Sequence, residues 1–169
     1  MAWVQSFHLT FIMMAAALMI TAAIHDARAF KIPNWIWISL MALFPLYALS
    51  APREIDWLHH AGVFALVLAV GFALFAGNFA GAGDVKLLAV ASLWAGPNYI
   101  GVLLVVTGMT GGILACFYAW SALACARAEA GAGTESIMQS LTKIAIPYGI
   151  AIAAGSIAVF GVMVAPIMF

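Results

Sequence analysis

The chain has 169 residues, of which 67% are hydrophobic and 7% are charged, with a mean hydropathy of +1.14. Soluble globular proteins carry about 25% charged residues, so this composition excludes a water-soluble domain. Six basic and six acidic residues cancel, which leaves too little positive charge for a nucleic-acid-binding face. Cys116 and Cys125 have neither CxxC nor zinc-site spacing, so the sequence predicts no disulfide framework, no metal site and no cofactor.

Six apolar stretches follow one another along the chain, separated by links that are polar or contain Pro or Gly. They are residues 7–24, 35–50, 58–77, 85–96, 99–124 and 144–169. Helices are expected, because backbone groups in lipid must be hydrogen-bonded within their own segment and about 20 helical residues cross the hydrocarbon. The expected fold is all-α, a polytopic membrane helical bundle of about six transmembrane helices. We expect a single integral-membrane domain over residues 1–169.

The basic residues are distributed unevenly between the two ends of this expected bundle. The first stretch is expected to remain in the protein, because no Lys or Arg precedes it as in a signal peptide. If the six helices alternate, one end receives only Arg53, and the other receives five basic residues: Arg28, Lys31, Lys86, Arg127 and Lys143. The positive-inside rule then places these five in the cytoplasm and both termini outside.

Two carboxylates, Asp26 and Asp84, are expected at the cytoplasmic end, because each follows an odd number of crossings. Stretch 85–96 spans only about 18 Å as a helix, which places Asp84 near the headgroups beside Gly81 and Gly83. Each acid alone has an ordinary interpretation, Asp84 as a helix N-cap and Asp26 as an interfacial residue. Together, two neighbouring carboxylates share one proton. One can then deprotonate water while the other polarises a peptide carbonyl, which is the chemistry of an aspartic protease.

Three motifs in order along the chain resemble those of a known family. Residues 81–88 read Gly-Ala-Gly-Asp-Val-Lys-Leu-Leu, residues 26–34 begin with Asp26 and end in Ile-Pro-Asn, and residues 147–149 read Pro-Tyr-Gly. The sequence resembles the type IV prepilin peptidases, which carry a G-x-G-D signature. The resemblance implies an aspartic endopeptidase that removes the leader of prepilins at the cytoplasmic face of the bacterial inner membrane, with Asp26 and Asp84 as the catalytic pair.

The resemblance also implies supporting roles for other motif residues: Pro33, Asn34, Gly81, Gly83, Lys86, Pro147, Tyr148 and Gly149. From the residues alone, Lys86 is equally well an interfacial lysine, Pro33 starts the second helix and Pro147 kinks the last one. The sequence contains no CxxC motif, so it resembles the short, CpaA/TadV-type branch of the family. That branch implies an Flp-type (tight-adherence) prepilin as the protein partner, membrane lipid as the solvent, and no separate methyltransferase domain.

Two other functions are compatible with the same residues. Two acids within a membrane also suit an ion- or proton-coupled transporter. Against this interpretation, both acids lie at one end of the expected bundle rather than near its middle, and the sequence shows no inverted repeat. A non-catalytic assembly factor is the other alternative, and in it Asp26 and Asp84 would be dispensable.

Overall fold

A computed structural model describes residues 2–51, 55–128 and 146–168. Five helices make up the described chain: α1 (Ala2–Ala29), α2 (Asn34–Ser50), α3 (Trp57–Ala76), α4 (Ala82–Ala128) and α5 (Tyr148–Met168). The described residues contain no strand. The predicted all-α membrane bundle is confirmed.

The outward-facing surface of the bundle is apolar. Within the described ranges, α1, α3, α4 and α5 are each long and apolar enough to cross a membrane, and α2 is a shorter apolar helix. On α3 only Gly71 is buried, while Leu58 and Phe72 are 80% and 64% exposed. Gly71 allows α3 to approach α4 closely, because a Cβ there would lie 2.7 Å from Cγ1 of Val85. A helix that buries a glycine and exposes large apolar side chains is suited to lipid, so the chain is a membrane protein.

The boundaries of the first three helices follow from local chemistry. Phe30 ends α1 with a φ of 50°, and its N–H bonds to the Asp26 carbonyl at 2.9 Å, as at other left-handed C-termini. The extended Pro33 precedes the start of α2. Asp56 caps α3 through the backbone N–H groups of Leu58 and His59. The His59 backbone N–H is the largest cause of a lowered pKa at Asp56, and the His59 ring, 2.6 Å away, lowers that pKa further.

Helix α4 bends sharply at Gly96, where φ is 59° and ψ is −172°. Pro97 follows and has no N–H, so the Leu93 carbonyl loses its partner within the helix. His60 of α3 replaces that partner, with its Nδ1 2.7 Å from the Leu93 oxygen. The His60 ring lies directly against Gly96, where a Cβ would collide with it. Glycine is required at this bend for both its backbone angle and its size.

The bend reverses the direction of the chain. Helix α4 begins beside the residues that precede α5. Just before the bend, the Trp94 ring lies 5.7 Å from that of Phe160, well along α5. After the bend, Gly111 lies against Tyr148, back at the start of α5. The two halves of α4 therefore run in opposite directions along α5.

The predicted number of six helices is wrong by one. Segments predicted separately over residues 85–96 and 99–124 belong to the single helix α4, because the reversal between them needs only one non-helical residue, Gly96. The last helix starts later than predicted, at Tyr148. Pro147 consequently precedes α5 and does not kink it. Residues 144 and 145, which the prediction included, lie outside the described residues.

An aromatic cluster holds the helices together at the end where α3 begins. Trp94 is fully buried, and its indole N–H donates to the Leu40 carbonyl of α2 at 3.1 Å. Its ring lies 4.8 Å from Tyr47 and 5.8 Å from Phe44. His8 of α1 stacks on Tyr47 with 4.5 Å between ring centroids. Helices α1, α2 and α4 are thus joined at this end, and the opposite end is left to form the cavity described below.

We expect Gly96→Ala to lower the free energy of unfolding by about 2 kcal/mol or more, because it combines a left-handed backbone with a collision against His60. Gly101→Ala is the matched control, since a Cβ at Gly101 meets nothing within 4 Å. Equilibrium unfolding in mild detergent measures both. Equal stability of the two variants would contradict the required bend.

Candidate active site

Asp26 lies in the last turn of α1 and is only 5% exposed. Its Oδ2 accepts a hydrogen bond of 2.6 Å from the backbone N–H of Gly149. That N–H is available because Gly149 is in the first turn of α5, where backbone N–H groups have no partner within the helix. The contact joins two residues that are 123 positions apart in the sequence. It fixes the end of α1 against the start of α5.

The close approach of these two helices requires a glycine at position 149. A Cβ there would lie 2.8 Å from Oδ2 of Asp26 and 3.0 Å from its Cβ. Carbon atoms do not come so close without displacing one another, and both contacts are with a buried side chain on a helix. The glycine of the Pro-Tyr-Gly motif therefore leaves space for the Asp26 carboxylate to reach the α5 backbone.

Asp84 lies in the first turn of α4, which begins at Ala82. The Gly81 carbonyl accepts the first hydrogen bond of this helix, from the Val85 N–H at 3.1 Å. Asp84 is thus inside the helix and not at its N-cap. Its carboxylate folds back over Gly81, where a Cβ would lie 2.9 Å from Oδ2. A Cβ on Gly83 would make only ordinary contacts, with Ile32 at 3.5 Å.

The two carboxylates line one cavity of about 520 Å³. The rest of the lining comes from the residues after α1, the start of α4 and the residue before Pro147: Phe30, Lys31, Ile32, Asn34, Gly81, Ala82, Gly83, Lys86 and Ile146. The fold therefore brings together acids from two distant parts of the sequence, at the ends of two helices.

The remaining predicted residues are placed around this cavity in different ways. Asn34, which follows Pro33 at the start of α2, accepts a hydrogen bond of 3.2 Å from the Trp37 indole. Lys86 lines the cavity, but its ammonium lies over the Trp37 ring, 5.5 Å from the centroid. In the described chain, no carboxylate lies within 4.0 Å of that ammonium. Lys86 is therefore held by Trp37 and not by Asp84.

Tyr148 faces away from the two acids. Its ring lies against Gly111 of α4, where a Cβ would be 2.7 Å from the tyrosine hydroxyl. Tyr148 is 39% exposed and is not among the described residues that line the cavity. Of the Pro-Tyr-Gly motif, Gly149 contacts the predicted catalytic residue Asp26, and it does so through its backbone.

The sequence analysis did not predict the Gly149 hydrogen bond or several residues that line the cavity wall, among them Phe30, Ile32 and Ile146. A signal for the hydrogen bond was present, because Pro147 marks a helix start and helix starts offer free N–H groups. No comparable pattern marks the wall residues. The described residues also contain no group of three or more His, Cys, Asp or Glu side chains placed to hold a metal ion.

Comparison with known protein families gives a match. The model of the type IV leader peptidase family, Peptidase_A24, matches residues 13–119. No curated protein sequence and no solved structure matches the chain significantly. The matched range is more than half of the chain and contains both Asp26 and Asp84. The chain therefore belongs to the type IV leader peptidase family.

Proposed function

We propose that this protein is an aspartic endopeptidase that removes the leader peptide from Flp-type prepilins at the cytoplasmic face of the bacterial inner membrane. Membership of the leader peptidase family makes it a protease with prepilin substrates in general. The observation that carries the aspartic mechanism is the shared cavity of Asp26 and Asp84. Apart from these two, the described lining residues include no carboxylate, thiol or histidine.

The arrangement supports acid–base hydrolysis of a peptide bond. Two carboxylates in one cavity resist carrying two charges and hold one proton between them. The charged carboxylate takes a proton from water, and the protonated one donates to the peptide carbonyl. A cavity of about 520 Å³ has room for a short stretch of extended peptide. Lys31 and Lys86 line the same cavity, so a bound substrate contacts both acidic and basic side chains.

The cytoplasmic location is supported by the basic residues around the acids. Arg28 lies in the last turn of α1, and Lys31 and Lys86 line the cavity. These are three of the six basic residues of the chain, gathered at the end that holds both acids. The positive-inside rule favours a cytoplasmic position for such an end.

The transporter alternative is less well supported. Asp26 is in the last turn of α1 and Asp84 in the first turn of α4, whereas coupling sites in secondary transporters lie near the middle of the membrane. The cavity lies at one end of the bundle, which suits a site that receives a peptide from the aqueous phase. Membership of a peptidase family points the same way.

We expect Asp26→Asn and Asp84→Asn each to reduce cleavage of a prepilin by about 10²-fold to 10⁴-fold, the usual contribution of acid–base catalysis. Asparagine has nearly the size of aspartate but cannot take part in sharing a proton. The measurement is the rate of leader removal by purified protein in detergent or liposomes. Asp56→Asn is the control, because Asp56 caps the exposed start of α3. If either the Asp26→Asn or the Asp84→Asn variant inserts into the membrane and cleaves at a near-normal rate, the two acids are not the catalytic pair.

The proposed orientation predicts the behaviour of fused reporters. A reporter that works only in the cytoplasm is expected to be active when inserted within residues 125–143 and inactive when fused after residue 169. Because α4 reverses at Gly96, its two halves count as two passes, so the five helices make six alternating passes and these two points are expected on opposite sides. A cytoplasmic carboxyl terminus would contradict the orientation and remove the argument that places the acids in the cytoplasm.

The product is expected to carry a free amino terminus. Hydrolysis needs only water and the two carboxylates, whereas methyl transfer needs a donor-binding site. The sequence has neither a CxxC motif nor a strand with a glycine-rich turn. Purified enzyme, prepilin and S-adenosylmethionine are incubated together, and the mature pilin is weighed by mass spectrometry. A product heavier by one methyl group, formed only when this enzyme is present, would demonstrate a second activity.

A further inference from the structure

The two acids of the cavity have different surroundings. Asp26 is 5% exposed, and its Oδ2 accepts the Gly149 N–H at 2.6 Å. Asp84 is less buried, and among the described residues no donor is hydrogen-bonded to its carboxylate. One member of the pair is thus held by a fixed donor, and the other faces the cavity without one.

The donor on Asp26 belongs to the first turn of α5. Such N–H groups carry partial positive charge, because the peptide dipoles of the helix point their positive end that way. A short hydrogen bond from this position is a charge-assisted bond when the acceptor is an ionised carboxylate. A neutral carboxylic acid accepts more weakly, so the contact holds the negative charge of the pair on Asp26. The single proton of the pair is left to Asp84.

We infer, on the basis of the proposed peptidase function, that Gly149 is a positioning residue whose backbone N–H makes Asp26 the base and Asp84 the acid of the reaction. With Oδ2 occupied by Gly149, Oδ1 is the Asp26 oxygen that remains to take a proton from water. Asp84 then donates its proton to the carbonyl oxygen of the scissile peptide bond.

The proton transfers balance with these roles. Water attacks the carbonyl carbon and forms a C–O bond, its proton passes to Asp26, and the Asp84 proton passes to the carbonyl oxygen, giving a neutral gem-diol. The C–N bond then breaks. The leaving nitrogen takes the proton from Asp26, and Asp84 recovers a proton from a gem-diol hydroxyl. The products are a carboxylic acid and an amine, and both side chains return to their starting states.

In the described chain no charged side chain forms an ion pair with either acid, and this includes the exposed His25 and Arg28, which flank Asp26 on α1. Lys86 of α4 lies over the Trp37 ring, and Lys31 follows α1 on the cavity wall. The sequence of α2 contains no charged residue. On α5 the titratable Tyr148 packs on Gly111. Among the described residues, the Gly149 N–H is therefore the group that is hydrogen-bonded to one acid and not to the other.

The test removes this one donor without adding an atom. Glycolic acid is incorporated at position 149, which replaces the amide by an ester, and kcat/KM for prepilin cleavage is measured against pH. The acidic limb of this pH profile is the range in which kcat/KM falls as the base, Asp26, becomes protonated. Loss of the donor is expected to move this limb to higher pH by about 1 unit, because a hydrogen bond to a charged group contributes about tenfold or more to an equilibrium. The same exchange at Gly161 of α5 is the control, and its acidic limb is expected to stay in place.

A second variant and a measurement on the unaltered protein accompany the ester. Gly149→Ala keeps the N–H but adds a Cβ 2.8 Å from Oδ2 of Asp26, and it is expected to lower kcat with little change in KM. Gly161→Ala, whose Cβ meets nothing within 4 Å, is its control. In the wild-type protein labelled with ¹⁵N-glycine, the Gly149 amide resonance is expected to shift with pH at the midpoint of the acidic limb.

The outcomes separate this inference from the proposed function. If Asp26→Asn and Asp84→Asn both abolish cleavage but the ester leaves the acidic limb unmoved, the pair is catalytic and the role of Gly149 is wrong. A Gly149 amide resonance whose chemical shift does not change over the pH range of the acidic limb leads to the same conclusion. If both asparagine variants cleave normally, the proposed function itself fails.

Discussion

Asp26 is only 5% exposed, so water can solvate little of it and its carboxylate needs a donor from the protein. In this protein the donor is the Gly149 N–H, 2.6 Å from Asp26. The requirement constrains both helices that meet there. The N–H of residue 149 is free because it lies in the first turn of α5, which begins at Tyr148, and residue 149 must be glycine for α1 to come so close. Pro147, placed just before the helix, fits such a start.

The second constraint is the reversal within α4. If that helix continued straight past Gly96, its second half would leave the bundle and could not pack on α5. Glycine at the bend, Pro97 after it and His60 beside it together allow the turn and satisfy the Leu93 carbonyl. With both halves of α4 against the bundle, the start of α4 lies next to the end of α1. Asp84 is thereby brought into the cavity that holds Asp26.

Much of this arrangement could be predicted from local features of the sequence. Apolar stretches predicted helices in a membrane, and the numbers of crossings predicted Asp26 and Asp84 at one end. The helix count and the position of Pro147 could not be obtained in the same way. A gap of three residues at 96–98 looks like a link, but one residue at a positive φ makes the turn. Proline occurs both at a helix start and at a kink within a helix, and the structure places Pro147 before the start of α5.

The partner of the Gly149 N–H was unpredictable for a related reason. Pro147 signals a helix start and so a free N–H group, but a backbone N–H carries no residue signature that identifies its acceptor. Its partner lies 123 positions away, so no local pattern joins the two. Lys86 shows the limit of nearness in the sequence, because its position two residues after Asp84 left a supporting role and an interfacial role equally open. On a helix, residues two apart do not face each other, and the ammonium is found over Trp37 instead.

The central claim is that Asp26 and Asp84 act as one catalytic unit. Comparing kcat/KM for the double variant Asp26→Asn/Asp84→Asn with each single variant tests this most directly, because residues that act as a unit have strongly non-additive effects. We expect the double variant to be no slower than the slower single variant. Losses that multiply in the double variant would mean that the two acids act independently, which would contradict the shared site.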